Sequence, residues 1–310
     1  MLLILGEFTA GLFVLLWGMQ AMKEGLENLS REKIRRAVAA FTATPLKAAV
    51  TGLVFTMLVQ SSTAISVITI GFVNAGIMNL AQAVGILLGA NVGTCVTVQL
   101  LSFNLFRLAA PAALGGAVLW AIFKSRPAGH LGRSLCGFGL VFAGLQLMAT
   151  ALAPLQKAPW FLETLLSLQH SPAMAVLAGA LVSALLHSSA AATGIAMLLS
   201  GYQLIALPTA VALVLGNNIG TCITAVLASL GGSRAGRQVA AAHVLLNVLG
   251  ALLFLPLLHP FATLVSFTTD TLPRQVANAH ALFNIISSLI ALPLVYQFTA
   301  LVRMIVPGNK

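Results

Sequence analysis

Apolar stretches of about 20 residues recur along the whole chain, and no other feature constrains the fold as strongly. Hydrophobic residues make up 59% of the 310 residues, and charged residues only 7%. A soluble domain carries about 25% charged residues. Because lipid offers no partners for backbone polar groups, spans of this length have to be helices. The sequence therefore predicts an all-α integral membrane protein.

Seven stretches have the length and composition of membrane-spanning helices. They are predicted at about 2–22, 80–101, 107–123, 133–152, 205–230, 238–258 and 276–302. Two further apolar stretches, 45–76 and 172–202, are interrupted near their middles by the polar clusters VQSSTAISV (59–67) and LHSSAAATG (186–194). Each is long enough for two short helices and a turn. We expect each to be a re-entrant hairpin, because non-helical backbone at membrane depth must be buried in protein or line a wet cavity.

The basic residues predict how the chain is oriented. If residue 1 is outside and the hairpins do not cross, 13 of the 16 Lys and Arg lie inside, and only Arg107, Lys157 and Arg274 lie outside. This is the positive-inside pattern of a multi-pass cell-membrane protein with its C-terminus in the cytoplasm. It accounts for the net charge of +10 without a nucleic acid partner. The charged segment 23–38 is expected to be an amphipathic helix on the cytoplasmic interface.

The chain overlays itself when it is shifted by 127 residues. Residues 52–97 then match 179–224 without a gap, with 16 identities in 46 positions. The segment GANVGTCVT (89–97) falls on GNNIGTCIT (216–224). Each copy holds three crossings, an odd number, so the second copy must be inverted relative to the first. We therefore predict repeat 1 at 1–131, repeat 2 at 132–260 and an extra C-terminal span at 261–310. Inverted repeats with interrupted helices are typical of secondary transporters.

The polar clusters suit ion binding without formal charge. In each hairpin the second helix is expected to begin near Ser62 or Ser189, where free N–H groups and the helix dipole attract an anion. The first helix is expected to end near Gln60 or His187, where its unpaired carbonyls suit a small cation. The hydroxyl and amide oxygens of the two Gly-x-Asn-x-Gly-Thr segments are hard neutral ligands for an alkali cation. Close packing of helices by small and hydroxyl residues is the alternative.

Other chemistries find little support in the sequence. Five of the six acidic residues lie at interfaces or in loops, and only Glu7 lies inside a predicted span. A midplane carboxylate relay for protons is therefore not predicted. His187 beside Ser188 has no acidic residue placed to orient it, so we do not expect an enzyme. His243 with Asn247, and His280 with Asn284, are expected either to form hydrogen bonds between helices or to support the site from behind.

Duplicated Gln-Ser-Ser hairpins, each followed by Gly-x-Asn-x-Gly-Thr, resemble the type II sodium/phosphate cotransporters and their bacterial relatives, in a short form without a C-terminal regulatory domain. The resemblance implies sodium-coupled transport of inorganic phosphate by alternating access, with sodium as coupling ion and no cofactor. Together with the cluster analysis, it implies that phosphate and sodium contact Gln60, Ser61, Ser62, Thr63, Asn91, Thr94, Thr97, His187, Ser188, Ser189, Asn218, Thr221 and Thr224. Among these, the expected sodium ligands are Gln60, Ser61, Thr94, Ser188, Thr221 and Thr224.

Three departures from the family pattern keep alternatives open. The loop LLSFNLFR (100–107) after the first Gly-Asn motif has no Asp, which leaves the number of sodium ions open. The second hairpin has His187 where the family often has Gln, and Ala190 stands where the first hairpin has Thr63. Coupling to protons through His187, transport of another small oxyanion, or export of phosphate are the competing interpretations. A membrane scaffold that does not transport is the alternative from a different class of protein.

Overall fold

The structure is a computed structural model, which describes residues 2–40, 42–103 and 105–307, with the side chains of 4–29, 42–103 and 105–307. In these ranges the chain is helical and contains no β-strand. The α-helices are α1 Leu2–Ala40, α2 Pro45–Val59, α3 Ser62–Asn74, α4 Leu80–Ser102, α5 Phe106–Phe123, α6 Pro127–Leu155, α7 Pro159–His170, α8 Pro172–Leu186, α9 Ser189–Gly201, α10 Leu207–Thr221, α11 Ile223–Ser229, α12 Arg234–Phe254, α13 Leu258–Ser266, α14 Leu272–Ala291 and α15 Val295–Ile305.

Seven segments within the described chain are long and apolar enough to cross a membrane, which confirms the predicted spans. They are Ile4–Leu29, Leu80–Ser102, Phe106–Phe123, Pro127–Leu155, Leu207–Ser229, Arg234–Phe254 and Leu272–Ile305. The last combines α14 and α15 through a short 3₁₀ helix at Leu292–Leu294. Pairing α7 with α8, which are bent by 116° at their junction, would add an eighth. The short helices α7 and α13 were not predicted.

The expected boundary between a first span and a separate amphipathic helix is wrong. A single helix, α1, continues from Leu2 to Ala40 without a break at residue 23. No proline or turn signal interrupts this stretch, so the helix has no local reason to end there. The side chains of 30–40 and the whole of Lys310 lie outside the described residues. The interfacial position of 23–38 and the overall charge bias therefore stay predictions.

Both interrupted stretches fold as two short helices, as predicted. α2 and α3 are separated at Gln60 and Ser61, and α8 and α9 at His187 and Ser188. We refer to α2–α3 as the first hairpin and to α8–α9 as the second hairpin. Their return to the same side of the membrane, and the inverted relation of the repeats, stay predictions.

Glycines bring each hairpin close to the long helix that follows it. α2 packs along α4, and α8 packs along α10. A Cβ added at Gly89 would overlap the carbonyl oxygen of Ala49, and one added at Gly216 would overlap that of Val176. Since helix backbones can approach this closely only at residues without a side chain, the glycines set the depth at which the helices meet. The same contact occurs at positions 127 residues apart, so both hairpins are held in the same way.

Two other packed pairs complete the bundle. α1 packs along nearly the whole of α6, and α5 packs along α6. α14 lies against α4 and α9, while α12 lies against α3 and α10. The two broken hairpins therefore lie among long helices.

Candidate functional site

Each hairpin breaks at a residue with left-handed backbone. Gln60 has φ 57° and ψ 31°, and His187 has φ 50° and ψ 29°. A helix often ends in this conformation, but the residue is usually glycine because a Cβ is strained there. A side chain that persists in the left-handed region at both breaks favours a role for the side chain itself. This confirms that the first helices end at these two residues.

A serine caps the second helix of each hairpin. Ser61 Oγ accepts a hydrogen bond from the N–H of Ala64 at 3.1 Å, and Ser188 Oγ accepts one from Ala191 at 3.2 Å. The N–H groups of the first residues after each cap have no carbonyl one turn earlier in the helix. The predicted helix starts at Ser62 and Ser189 are therefore confirmed, and each start presents backbone donors and a positive dipole end.

The two breaks meet at one small polar cavity, where about 280 Å³ of space free of protein atoms includes the opening to solvent. We call it the hairpin cavity. It is lined by Met19, Lys23, Gln60, Ser61, Ser62, Thr63, Thr94, Thr97, His187, Ser188, Ser189, Ala190 and Thr221. Ten of the thirteen residues predicted to bind phosphate or sodium are among them. Residues from α1, both hairpins, α4 and α10 thus come together although the chain separates them by up to 202 positions.

Hydrogen bonds hold the first hairpin's glutamine in place. Gln60 is buried, and its Oε1 accepts a hydrogen bond of 2.6 Å from Thr97 Oγ1. Its Nε2 donates to the carbonyl oxygen of Met57 at 2.5 Å. The amide therefore links the turn of the hairpin to α4. Thr94, one turn earlier on α4, donates to the carbonyl oxygen of Ala90 at 3.0 Å.

The second hairpin is fastened differently. Ser183 Oγ on α8 and Thr221 Oγ1 on α10 are 2.9 Å apart and share a hydrogen bond. Ser188 and Ser189 are buried, whereas the side chain of His187 is exposed. Ser188 Oγ also lies 3.9 Å from Met19 Sδ, so the second hairpin touches α1 at the edge of the hairpin cavity.

Three predicted binding residues lie outside the hairpin cavity. Asn91 Nδ2 donates to Asn247 Oδ1 on α12 at 3.1 Å. Asn218 Nδ2 donates to the carbonyl oxygen of Val214 at 3.0 Å, and Thr224 Oγ1 donates to that of Thr221 at 2.9 Å. Asn91 and Asn218 thus have hydrogen-bond partners within the helix bundle. Thr224 lies in α11, beyond the break at Cys222 that separates α10 from α11.

Sequence reasoning missed two contributors to the hairpin cavity, Met19 and Lys23. Both come from α1, one turn apart, and Lys23 was interpreted only as one of the basic residues on the inside face. The residues 18–22 do match 144–148 at a shift of 126, which marks this part of α1 as repeated. The match could not show which face of α1 meets the hairpins.

Sequence reasoning also missed a short repeat whose two copies lie 37 residues apart. RQVAAAHVLLN (237–247) on α12 and RQVANAHALFN (274–284) on α14 share eight of eleven residues. The two helices receive equivalent hydrogen bonds: Cys222 Sγ donates to the carbonyl oxygen of His243 at 3.5 Å, and Cys95 Sγ donates to that of His280 at 3.7 Å. α12 and α14 therefore support α10 and α4 in matching ways. The Asn91–Asn247 contact confirms a hydrogen bond between helices for the first of the two predicted pairs.

A family model described as Na+/Pi-cotransporter matches residues 14–150 and 157–287. The chain is 37% identical over 257 residues to the "Uncharacterized protein YqeW" of Bacillus subtilis (strain 168), covering 83% of each protein. No solved structure matches the chain significantly.

Longer relatives carry a name that includes a substrate. The chain is 30% identical over 265 residues to the "Putative inorganic phosphate export protein YjbB" of Salmonella typhimurium, covering 86% of this chain and 49% of that protein. The Escherichia coli (strain K12) protein of the same name is 30% identical over 261 residues, covering 84% and 48%. This chain therefore spans about half the length of the phosphate export relatives. Since the family model covers both repeats and both hairpins, the chain belongs to the Na+/Pi-cotransporter family.

Proposed function

We propose that this multi-pass membrane protein moves inorganic phosphate across the membrane by alternating access, coupled to sodium ions. The observation that carries the proposal is the hairpin cavity, where two capped helix starts and two helix ends converge from different parts of the chain. Helix N-termini bind phosphate well because their N–H groups and dipoles favour negative charge. The described residues that line the cavity include no carboxylate, which would repel an oxyanion.

Phosphate as the substrate is supported by two names. The family description pairs sodium with phosphate, and the name of the YjbB relatives refers to phosphate export. Both agree on the anion, whereas only the family description mentions sodium. We therefore propose sodium as the coupling ion. Flux measurements in both directions decide between uptake and export.

The lining side chains suggest how the two ions share the cavity. The hydroxyls of Ser62 and Ser189, with the first N–H groups of α3 and α9, can donate to phosphate oxygens. A sodium ion requires oxygen acceptors, which the hydroxyls of Ser61, Ser188 and Thr94 provide. Gln60 Oε1 accepts a hydrogen bond from Thr97. To bind sodium, it would have to coordinate the ion beside this hydrogen bond or lose the bond. Such a change would make the first hairpin responsive to the cation.

Transport into proteoliposomes tests the proposal. Purified protein should take up radiolabelled phosphate faster with an inward sodium gradient than with an equal potassium gradient. Vesicles preloaded with phosphate should show the reverse flux when the sodium gradient is reversed. Uptake that ignores sodium would contradict the coupling, and an absence of phosphate flux in both directions would contradict transport itself.

A pair of serine variants links that flux to the hairpin cavity. Ser62→Ala combined with Ser189→Ala should reduce phosphate uptake by at least about tenfold, because two donors to the anion are lost. Ser167→Ala, on exposed α7, removes a serine hydroxyl away from the cavity and should leave uptake unchanged. Equal uptake by the double variant and the wild type would contradict the hairpin cavity as the phosphate site.

The exposed imidazole of His187 supports a second candidate, coupling to protons. It lines the cavity, and no hydrogen bond to its side chain is found in the described part of the chain. If protons drive transport, a pH gradient should replace the sodium gradient and His187→Gln should abolish its effect. If sodium drives transport, His187→Gln should keep uptake within about twofold of the wild type, since glutamine restores the residue of the first hairpin.

A further inference from the structure

We propose that the ammonium group of Lys23 is the fixed positive charge that binds the transported oxyanion in the hairpin cavity. This inference rests on the proposed function, because it names how the same site holds phosphate. The two hairpins offer only dipoles and neutral donors, whereas α1 adds a full charge. Lys23 is half-buried and lines the cavity together with both pairs of hairpin serines.

The geometry of α1 directs Lys23 toward the hairpins. Met19 lies four residues earlier on the same helix face. It contacts Ser188 Oγ through its sulfur and lines the same cavity as Lys23. One face of α1 is therefore turned to the second hairpin, and Lys23 extends from the next turn of that face. A different face of α1 packs on α6 at Gly18, where an added Cβ would meet the backbone nitrogen of Val141 at 2.7 Å.

No acidic side chain in the described structure neutralises this lysine. Glu24 is the neighbouring residue, but it forms an ion pair with Arg133 on α6 and accepts a hydrogen bond of 2.6 Å from Gln20. Glu27 lies one turn after Lys23 and forms no ion pair with it. An ammonium among apolar helices without a counter-ion is unfavourable, and such residues in membrane proteins usually mark an ion or substrate path.

Binding of the anion would give the Lys23 ammonium the counter-ion that it lacks. Phosphate at neutral pH carries between one and two negative charges, so a single lysine neutralises part of its charge, and cations that bind with it supply the rest. Lysine also suits transport, because its flexible four-carbon stem can follow a ligand that has to leave again. The serine caps would then orient the anion, and Lys23 would decide how tightly it is held.

Three variants test the assignment by equilibrium binding of radiolabelled phosphate to the purified full chain. Lys23→Gln should raise the dissociation constant for phosphate about 10- to 100-fold, the effect of losing a hydrogen bond to a charged group. Lys23→Arg should stay within about fivefold of the wild type because it keeps the charge. Lys47→Gln removes an exposed lysine from α2, outside the cavity, and should leave the dissociation constant unchanged.

Protection from chemical modification gives a test that needs no variant. With the wild-type protein, phosphate should slow acetylation of Lys23 by an amine-specific reagent, as measured by mass spectrometry, and should not slow acetylation of Lys47. This measurement serves if Lys23→Gln does not fold.

The outcomes separate this inference from the proposed function. Phosphate binding that is lost in Lys23→Gln, in a protein that shows no flux, would support the anion site and contradict transport. Sodium-driven flux with an unchanged dissociation constant in Lys23→Gln, or with no protection of Lys23, would overturn the role of Lys23 and leave transport standing. A wild-type protein that does not bind phosphate would overturn both.

Discussion

The two hairpins use the same backbone and different side chains. Both break at a left-handed residue, both restart at a capping serine, and both pack on a long helix through glycine. In the first hairpin, Gln60 is buried and bonded to Thr97 of α4. In the second, the corresponding His187 is exposed, and the link to α10 is made one turn earlier by Ser183 and Thr221. The shared breaks and capping serines line the cavity, whereas the two turn residues differ in burial and in hydrogen bonding.

The helices that follow the two hairpins, α4 and α10, also differ from each other. α4 is continuous through Thr94 and Thr97, and both residues line the hairpin cavity. The equivalent stretch of the second repeat breaks at Cys222, and Thr224 turns away into α11. A duplicated sequence therefore lines the cavity unequally. The first hairpin and α4 contribute six polar residues, whereas the second hairpin and α10 contribute four.

The largest effect should come from the features that the hairpins share. Gly89→Ala and Gly216→Ala each place a methyl group against a carbonyl oxygen of the facing helix. Each should destabilise the protein by about 1–3 kcal/mol, the usual result of overpacking, and both should lower the midpoint of thermal unfolding in detergent by a similar amount. Gly115→Ala on α5, where nothing lies within 4 Å, is the matched control and should be neutral. A loss in only one of the two would show that the hairpins are not held alike.

The next prediction addresses the residues that differ. Gln60→Ala should cost about 1–2 kcal/mol, because it leaves the buried hydroxyl of Thr97 without its acceptor. His187→Ala should change stability by less than about 0.5 kcal/mol, since an exposed side chain is removed. Thermal unfolding of the two variants side by side measures the difference. Equal losses of stability would mean that the two turn residues stabilise the protein to the same extent and that the hairpins differ elsewhere.

A smaller and symmetric effect is expected at the capping serines. Ser61→Ala and Ser188→Ala each remove an acceptor from the first turn of a helix, which typically costs about 1 kcal/mol. Ser61→Gly and Ser188→Gly should recover most of that stability while still lacking the hydroxyl. If the glycine variants remain inactive in phosphate uptake although their stability is restored, the hydroxyls have a role beyond capping. Recovery of uptake would limit them to a structural role.

The smallest expected change in stability should have opposite signs in the two hairpins. Thr56 Oγ1 is buried and has no hydrogen-bond partner in the described structure, whereas its counterpart Ser183 is bonded to Thr221. Thr56→Val keeps the shape and removes the unpaired hydroxyl, so it should be neutral or stabilise by about 0.5 kcal/mol. Ser183→Ala should destabilise by about 0.5–1 kcal/mol. Destabilisation by Thr56→Val would indicate that its hydroxyl has a partner when the protein is embedded in lipid.

Much of this organisation could be predicted from residues alone. The seven spans follow from the length of apolar runs, since the bilayer sets the length of a helix. The helix breaks at Gln60 and His187 follow from polar residues that no lipid-facing helix would carry. The short helices α7 and α13 were missed because they belong to connections between spans. The continuity of α1 was missed because a change in charge at residue 23 was interpreted as a change of element.

The sequence by itself determined where helices cross, where they break and which hydroxyl and amide groups are duplicated. Only the tertiary structure decided which of those groups share a cavity. Asn91, Asn218 and Thr224 fit the same motifs as Thr94 and Thr221, yet they face other helices or their own backbone. Lys23 carries no motif and lines the cavity. The physical reason is that apolar residues cover every side of a membrane helix, so its sequence shows no inner face, and helix packing alone sets its rotation.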